Sequence, residues 1–270
     1  MIKFNGTIIE QGNFPDGSLH LKLTDDQVES PFDNEYIIIE WLYENDGELF
    51  TLMCLRKHFA VFPAILIMPY CPHARMDRVK SVKDVLTLKY FAEVINSLDF
   101  KVVYCDDIHS NVGAALIDNY APLDPEHYAI NDAIAEIEEE NNTELVACYP
   151  DEGAMKRYSE DIDMPYAFGI KKRDWKTGKI LGLDLMNKEI VEGKDVIIID
   201  DICSRGGTFY YTAKALKEAG AKNVYLFVTH CEKTVLDGEL ITSGLIKGLY
   251  TTDSILPVEY RELPFFHIVA

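Results

Sequence analysis

Six short apolar runs punctuate the chain: residues 36–40 (YIIIE), 64–68 (AILIM), 102–105 (VVYC), 145–148 (LVAC), 196–199 (VIII) and 224–228 (VYLFV). Near-continuous apolar runs of this length suit parallel strands covered on both faces. Segments with apolar residues at three- and four-residue spacing lie between them. Residues 85–98 read as a helix, with Asp84 placed to cap its free N–H groups. Residues 125–140 and 209–219 read as two more, the latter closed by Gly220 at the C-cap position. This alternation predicts an α/β architecture with mostly parallel sheets. Two prolines within residues 121–125 (APLDP) interrupt both periodicities and set the expected boundary, giving domains 1–123 and 124–270. Residues 1–23 read as irregular, without room for a strand–helix–strand unit before Phe14.

Length and composition agree. A chain of 270 residues, 48% hydrophobic and 26% charged, suits one large or two small globular domains. The longest apolar stretch, around residues 59–70, carries two prolines and falls short of the roughly 18 residues that a membrane span needs. The N-terminus has no signal-peptide pattern, so the expected location is cytoplasmic, with no membrane partner. The formal net charge of −19 repels phosphate backbones and argues against nucleic-acid binding. None of the six cysteines forms a CxxC pair, and buried free thiols are expected rather than disulfides or zinc.

Candidate chemistry concentrates in residues 196–208, VIIIDDICSRGGT. An apolar strand ends in two carboxylates, followed by a small-residue loop and a helix. Ligands of open α/β sheets bind beyond such strand ends, and a loop leading into a helix offers N–H groups to phosphate. Asp200 and Asp201 are placed to accept hydrogen bonds from vicinal sugar hydroxyls. Ser204, Arg205, Gly206, Gly207 and Thr208 would hold a phosphate. The plain alternative is a strand end and a capped helix. The absence of a GKS or GKT ending excludes a Walker A loop. In so acidic a chain, Arg75, Asp77 and Arg78 within residues 69–78 (PYCPHARMDR) stand out as an anion site, because arginine makes bidentate contacts to phosphate.

The 196–208 segment resembles the sugar-phosphate loop shared by phosphoribosyltransferases and phosphoribosyl-diphosphate (PRPP) synthetases. Five further segments resemble the PRPP-synthetase family in particular. Residues 69–78 look like its ATP-binding Pro-Tyr-x-x-x-Ala-Arg-x-Asp-Arg element, with Met76 where the family has Gln. Asp107–Ile108–His109 is similar to its Asp-Leu-His, whose His holds the Mg-ATP. Residues 150–153 (PDEG) resemble its Pro-Asp-x-Gly, which makes Asp151 a second metal-associated group. Lys171, Lys172 and Arg173 look like the Lys-Arg-Arg opening of its mobile catalytic loop, with Lys171 and Arg173 at the catalytic positions and DWKTGKI as the flap. Phe14 and Asp16 match its adenine-packing Phe-x-Asp-Gly-Glu, with Ser18 replacing Glu. These motifs span about residues 12–245.

The resemblance implies two Rossmann-like phosphoribosyltransferase-type domains, the N-terminal one carrying the ATP motifs and the C-terminal one the flap and sugar-phosphate loop. It implies an active site between them completed by a neighbouring subunit, hence a homo-oligomer of at least two chains. It also implies Mg²⁺, with His109 and Asp151 as metal-associated residues, ATP as co-substrate and ribose 5-phosphate as acceptor. Three departures qualify this. The strand and helix that usually precede Phe14, and the usual final helix, are read as missing. The family loop Asp-Asp-x-x-Asp-Thr-x-Gly-Thr has Ser204 for an acid and Arg205 for a Thr. Met76 and Ser18 alter the nucleotide side. The second departure admits a larger 5-phosphoribosyl acceptor, ADP-ribose being the clearest case, which would place the product in NAD⁺ salvage. A phosphoribosyltransferase would leave residues 69–78 and 107–109 without a role. A catalytically silent regulatory homologue is the remaining alternative.

Overall fold

The computed structural model describes residues 1–173 and 180–269, and the side chains of all of these except 171–173 and 180–182. The chain divides into two compact units, Met1–Leu123 and Asp124–Ala270.

Unit 1 runs β1 (Ile2–Phe4), β2 (Thr7–Ile8), β3 (Gln11–Asn13), β4 (Leu19–Leu21), α1 (Asp25–Glu29), β5 (Ile37–Trp41), α2 (Glu48–His58), β6 (Ala64–Ile67), α3 (Thr87–Asn96), β7 (Val102–Cys105), α4 (Asn111–Leu116) and β8 (Tyr120–Pro122). Among the described residues its main sheet has six strands, ordered β2-β1-β5-β6-β7-β8. Strands β5 to β8 are parallel, and β1 joins β5 antiparallel. The opening of the chain is therefore not irregular. Asn5 and Gly6, at φ 46° and 80°, connect β1 to β2 with Phe4 opposite Thr7. A two-residue Asn-Gly link with both φ values positive matches the right-handed twist of the strands it joins. A second hairpin pairs β3 with β4.

Because β5 to β8 follow one another in order, right-handed crossovers place every connecting helix on the same side. Ile37, Ile39, Trp41, Ala64, Leu66, Val103 and Cys105 pack there against Leu52 and Leu55 of α2 and Leu88, Phe91 and Ile95 of α3. The alternate residues Ile38, Ile65, Ile67, Val102 and Tyr104 remain half-buried or exposed. Coverage of both faces, expected from the apolar runs, does not hold in this unit.

Unit 2 runs α5 (Tyr128–Asn141), β9 (Leu145–Tyr149), α6 (Glu152–Tyr158), β10 (Tyr166–Arg173), β11 (Ile180–Met186), β12 (Asp195–Cys203), α7 (Gly207–Glu218), β13 (Asn223–Cys231), α8 (Glu239–Thr242), β14 (Leu249–Thr251), α9 (Val258–Arg261) and β15 (Phe266–Ile268). Among the described residues its sheet has seven strands, ordered β11-β10-β9-β12-β13-β14-β15, parallel except for β11. Here both faces are covered. Val196, Ile198, Val224 and Leu226 meet Phe209, Ala213 and Leu216 of α7. Ile197, Ile199, Tyr225 and Phe227 meet Ile130, Ala133 and Ile137 of α5 on the other side.

Two local expectations resolve differently. Asp84 does not cap α3, whose first turn has no side-chain cap. Its carboxylate accepts the Lys80 and Ser81 N–H groups, both at 2.8 Å, closing the turn before the helix. Gly220 does end α7. At φ 92° it donates to the Lys217 carbonyl while Ala221 donates to that of Leu216, the paired bonds that satisfy a helix's last carbonyls. Five cysteines are buried and Cys54 half-buried, all as free thiols.

Candidate functional site

In unit 1 the candidate residues follow the C-terminal ends of neighbouring parallel strands. Residues 69–78 leave β6 and residues 106–110 leave β7, and the Asp106 N–H donates to the Pro69 carbonyl at 2.9 Å, so both loops start side by side. His73 and Asp107 turn the two loops through left-handed backbone, at φ 64° and 33°. The half-buried Asp77 accepts two bonds from the Arg78 guanidinium, at 2.9 and 3.4 Å. Burial alone would raise the Asp77 carboxyl. Arg78, the Ser110 hydroxyl and His109 outweigh it and hold the group below its ordinary value. Asp77, Arg78 and His109 thus share one electrostatic environment built from both loops. Arg75 is exposed on the first loop.

Phe14 and Asp16 occupy the turn between β3 and β4. The Phe14 ring lies half-exposed, 4.7 Å from that of His20. Asp16 Oδ1 accepts from the Ser18 hydroxyl at 2.6 Å and the Ser18 N–H at 2.9 Å, which lowers its pKa. In this chain Asp16 and Ser18 stabilise the turn.

In unit 2 the candidates gather at the C-terminal ends of β9 and β12. Strand β12 runs four residues beyond the predicted end, so Asp200 and Asp201 lie within it, Asp200 opposite Val228. Asp201 is buried and pairs with Arg157 of α6 at 3.6 Å. Burial, then Asp201 and Asp151, push the Asp200 carboxyl well above its ordinary value. The twin carboxylates are therefore inequivalent: one faces a guanidinium, the other faces two carboxylates. Asp151 caps α6, its Oδ1 accepting from the Gly153 and Ala154 N–H groups at 2.9 and 3.1 Å.

The loop beyond β12 enters α7 through Gly206, whose φ of 73° favours glycine and whose added Cβ would meet Leu240 at 2.8 Å. The first intrahelical bond runs from the Tyr210 N–H to the Gly206 carbonyl. The N–H groups before it open the twelve-residue helix and suit an anion. Ser204 Oγ lies 3.2 Å from Thr234 Oγ1, which donates to Glu232 at 3.0 Å. Arg205 and Gly207 are exposed, and an added Cβ on Gly207 would meet nothing within 4 Å. The Arg205 carbonyl packs so closely that a Cβ on Gly238 would lie 2.0 Å from it.

Lys171 and Arg173 end β10, opposite Leu183 and Ile180 of β11. Their side chains, and the flap residues 174–179, lie outside the described residues. Sequence reasoning missed Arg157, Thr234, Glu232 and Gly238. For Arg157 there was a signal, a basic residue two helical turns beyond Asp151. Thr234 and Gly238 reach the loop through tertiary packing alone. Among the described residues, no group of three or more His, Cys, Asp or Glu side chains could hold a metal ion. Their donors suit a cation carried in by a nucleotide, because hard carboxylate oxygens complement Mg²⁺ that keeps phosphate ligands of its own. No described helix is long and apolar enough to cross a membrane.

The candidate loops lie at the carboxyl ends of parallel strands, where ligands of open α/β sheets bind, and residues 117–239 match the phosphoribosyl transferase domain family. The chain is 30% identical over 219 residues to ribose-phosphate pyrophosphokinase of Marinomonas sp. (strain MWYL1), covering 78% of this chain and 67% of that protein. It is 30% identical over 230 residues to the Bacillus subtilis (strain 168) protein of the same name, covering 83% and 69%. The crystal structure of phosphoribosylpyrophosphate synthetase from Mycobacterium smegmatis superposes with a TM-score of 0.73 at 18% identity, covering 97% of this chain and 85% of that one, which shows the shared fold. The chain belongs to the ribose-phosphate pyrophosphokinase family.

Proposed function

We propose that the protein is a Mg²⁺-dependent diphosphokinase that moves the β,γ-diphosphoryl group of ATP onto the anomeric hydroxyl of a 5-phosphoribosyl acceptor and releases AMP. The observation that carries this reading is the unit 2 cradle, in which Asp200 and Asp201 on β12 run into a glycine-opened helix start. The carboxylates accept hydrogen bonds from the ribose 2- and 3-hydroxyls. The acceptor's 5-phosphate takes the N–H groups of residues 205–209 and the Ser204 and Thr208 hydroxyls. Arg75, Asp77, Arg78 and His109 serve the ATP, and Phe14 and Asp16 serve the adenine, in the family's manner. The anomeric oxygen attacks the β-phosphorus in line. A new O–P bond forms, the bond to the α,β-bridging oxygen breaks, and that oxygen leaves with AMP. Lys171 and Arg173 neutralise charge on the group in flight. His109 and Asp151 are the residues proposed to meet Mg²⁺, which supplies charge neutralisation on the phosphates when bound.

The acceptor is ribose 5-phosphate or a conjugate of it. Arg205 favours the conjugate ADP-ribose as a second reading: it is exposed, adds positive charge where the family has Thr, and lies beside the open space at Gly207. AMP release with each acceptor in parallel, against a blank without acceptor, tests both. AMP with ribose 5-phosphate supports the first reading, and AMP with ADP-ribose alone supports the second. Silence with both refutes the proposal and leaves the regulatory homologue. Lys171→Ala is expected to lower turnover at least a hundredfold without changing the melting temperature; full turnover would remove Lys171 from the mechanism.

A further inference from the structure

We propose that Thr234 and Glu232 determine acceptor specificity: they hold the Ser204 proton away from the acceptor's 5-phosphate, and so favour an esterified 5-phosphoryl group over a free phosphate monoester. The inference rests on the diphosphokinase reading for the placement of that phosphate on residues 204–208. Two strand ends bring the three residues together. Cys203 and Cys231 are register partners on the parallel strands β12 and β13, so Ser204 and Glu232 are the first residues past adjacent strands. The Glu232 N–H donates to the Cys203 carbonyl at 2.8 Å and ties the two loops together where they begin. A short 3-10 turn, Lys233–Asp237, follows, anchored by the buried Val235, whose N–H donates to the Glu232 carbonyl at 3.1 Å. Beyond it Gly238 packs on the Arg205 carbonyl and Leu240 of α8 packs on Gly206. Residues 232–240 thus touch Ser204, Arg205 and Gly206 in turn, and this seat fixes Thr234 against Ser204.

Counting protons fixes the direction of the hydroxyls. Thr234 Oγ1 donates to Glu232 Oε2 at 3.0 Å. A hydroxyl has one proton to give, so at the 3.2 Å contact between the Ser204 and Thr234 hydroxyls Ser204 is the donor. The relay runs from Ser204 through Thr234 and ends on a carboxylate, which only accepts. A phosphate oxygen that approaches Ser204 in this arrangement meets a lone pair. Ser204 donates to it only by giving up Thr234.

The consequence depends on how many terminal oxygens the ligand brings. A phosphate monoester presents three strong acceptor oxygens. When the same phosphorus is esterified a second time, one of those oxygens becomes an uncharged bridge and a weak acceptor. The N–H groups that open α7 and the Thr208 hydroxyl serve the two oxygens that both ligands share. The third oxygen, terminal only in the monoester, needs the donor that Thr234 withholds. Withholding a donor discriminates against the ligand that requires it and leaves the other nearly unaffected. Ribose 5-phosphate is the monoester, and ADP-ribose carries the doubly esterified group.

Calorimetric titration of the full-length protein with ribose 5-phosphate and with ADP-ribose tests this, in the presence of Mg²⁺ and α,β-methylene ATP, which cannot release AMP. Thr234→Val keeps the shape of the side chain and removes both of its hydrogen bonds. It should tighten ribose 5-phosphate by about fivefold, the worth of one modest hydrogen bond, and ADP-ribose by less than about twofold. Glu232→Ala should act in the same direction, because Thr234 then turns its proton to Ser204 and Ser204 offers its own to the phosphate. Adding Ser204→Ala to Thr234→Val should erase the gain, and Thr234→Ser should keep the wild-type preference. Ribose 5-phosphate binding that is unchanged or weaker in Thr234→Val, equal tightening of both ligands, or a gain that survives Ser204→Ala would overturn the proposal while the wild type still binds its acceptor. A wild type that binds neither ligand would overturn the diphosphokinase reading, and this proposal with it.

Discussion

The two sheets put strands of similarly apolar composition to opposite ends. In unit 2, β9 is buried along its whole length and β12 through Ile199, each between helices on both faces. In unit 1, β5 alternates buried and open positions along its five residues. Strand order explains the difference. Strands β5 to β8 are laid down in sequence, so their crossovers fall on one side. In unit 2 the order β10-β9-β12-β13 reverses at β9, and its helices take both sides. That reversal is also where Asp151, Asp200 and Asp201 meet, since a topological switch point opens a crevice at the strand ends.

Core substitutions should break the symmetry between the sheets most clearly. Ile198→Ala in unit 2 removes a fully buried side chain and should cost about 3 kcal/mol. Ile65→Ala on the open face should cost about 1 kcal/mol or less, measured by urea unfolding at low protein concentration. Equal losses would mean the open face is packed. Within the unit 2 loop, Gly206→Ala should cost about 1–3 kcal/mol through its left-handed backbone and the clash with Leu240. Gly207→Ala, pointing into open space, should stay within about 0.5 kcal/mol. Arg157→Ala leaves Asp201 without its guanidinium and should cost about 1–2 kcal/mol, with a larger rise in acceptor KM than fall in kcat.

The smallest effect concerns pH. Asp200 is raised above its ordinary 3.8 by burial, Asp201 and Asp151, so the folded state holds a proton that the unfolded chain releases. Stability from this group is complete below about pH 4 and declines as pH rises toward the folded-state value. Asp200→Asn should flatten that decline in a series of melting curves. An unchanged slope would mean Asp200 is not held protonated.

Much of this architecture was legible in the chain, and the gaps have physical causes. Parallel strands and the Gly220 helix end could be read because apolar runs and capping residues are local signals. The open face was hidden because its outward positions are themselves apolar: Ile38, Ile65 and Ile67 fill the alternation that would have marked a solvated side. The Asn5-Gly6 hairpin was legible but passed over in a segment taken as irregular. Asp84 had the chemistry of a cap, yet a tighter turn claimed its Oδ2. Motif order singled out Asp77, Arg78 and His109, and the fold brings the three together from two loops. Arg157 required the fold to bring α6 against β12, and Asp200's perturbed carboxyl required burial that no sequence spacing reveals.

The central claim is diphosphoryl transfer, and the nucleotide product tests it most directly. Phosphorus NMR of the purified protein with ATP, Mg²⁺ and a 5-phosphoribosyl acceptor should show AMP accumulating one-for-one with a new anomeric diphosphate. ADP with a singly phosphorylated acceptor, or no acceptor-dependent signal from either ribose 5-phosphate or ADP-ribose, would contradict the account.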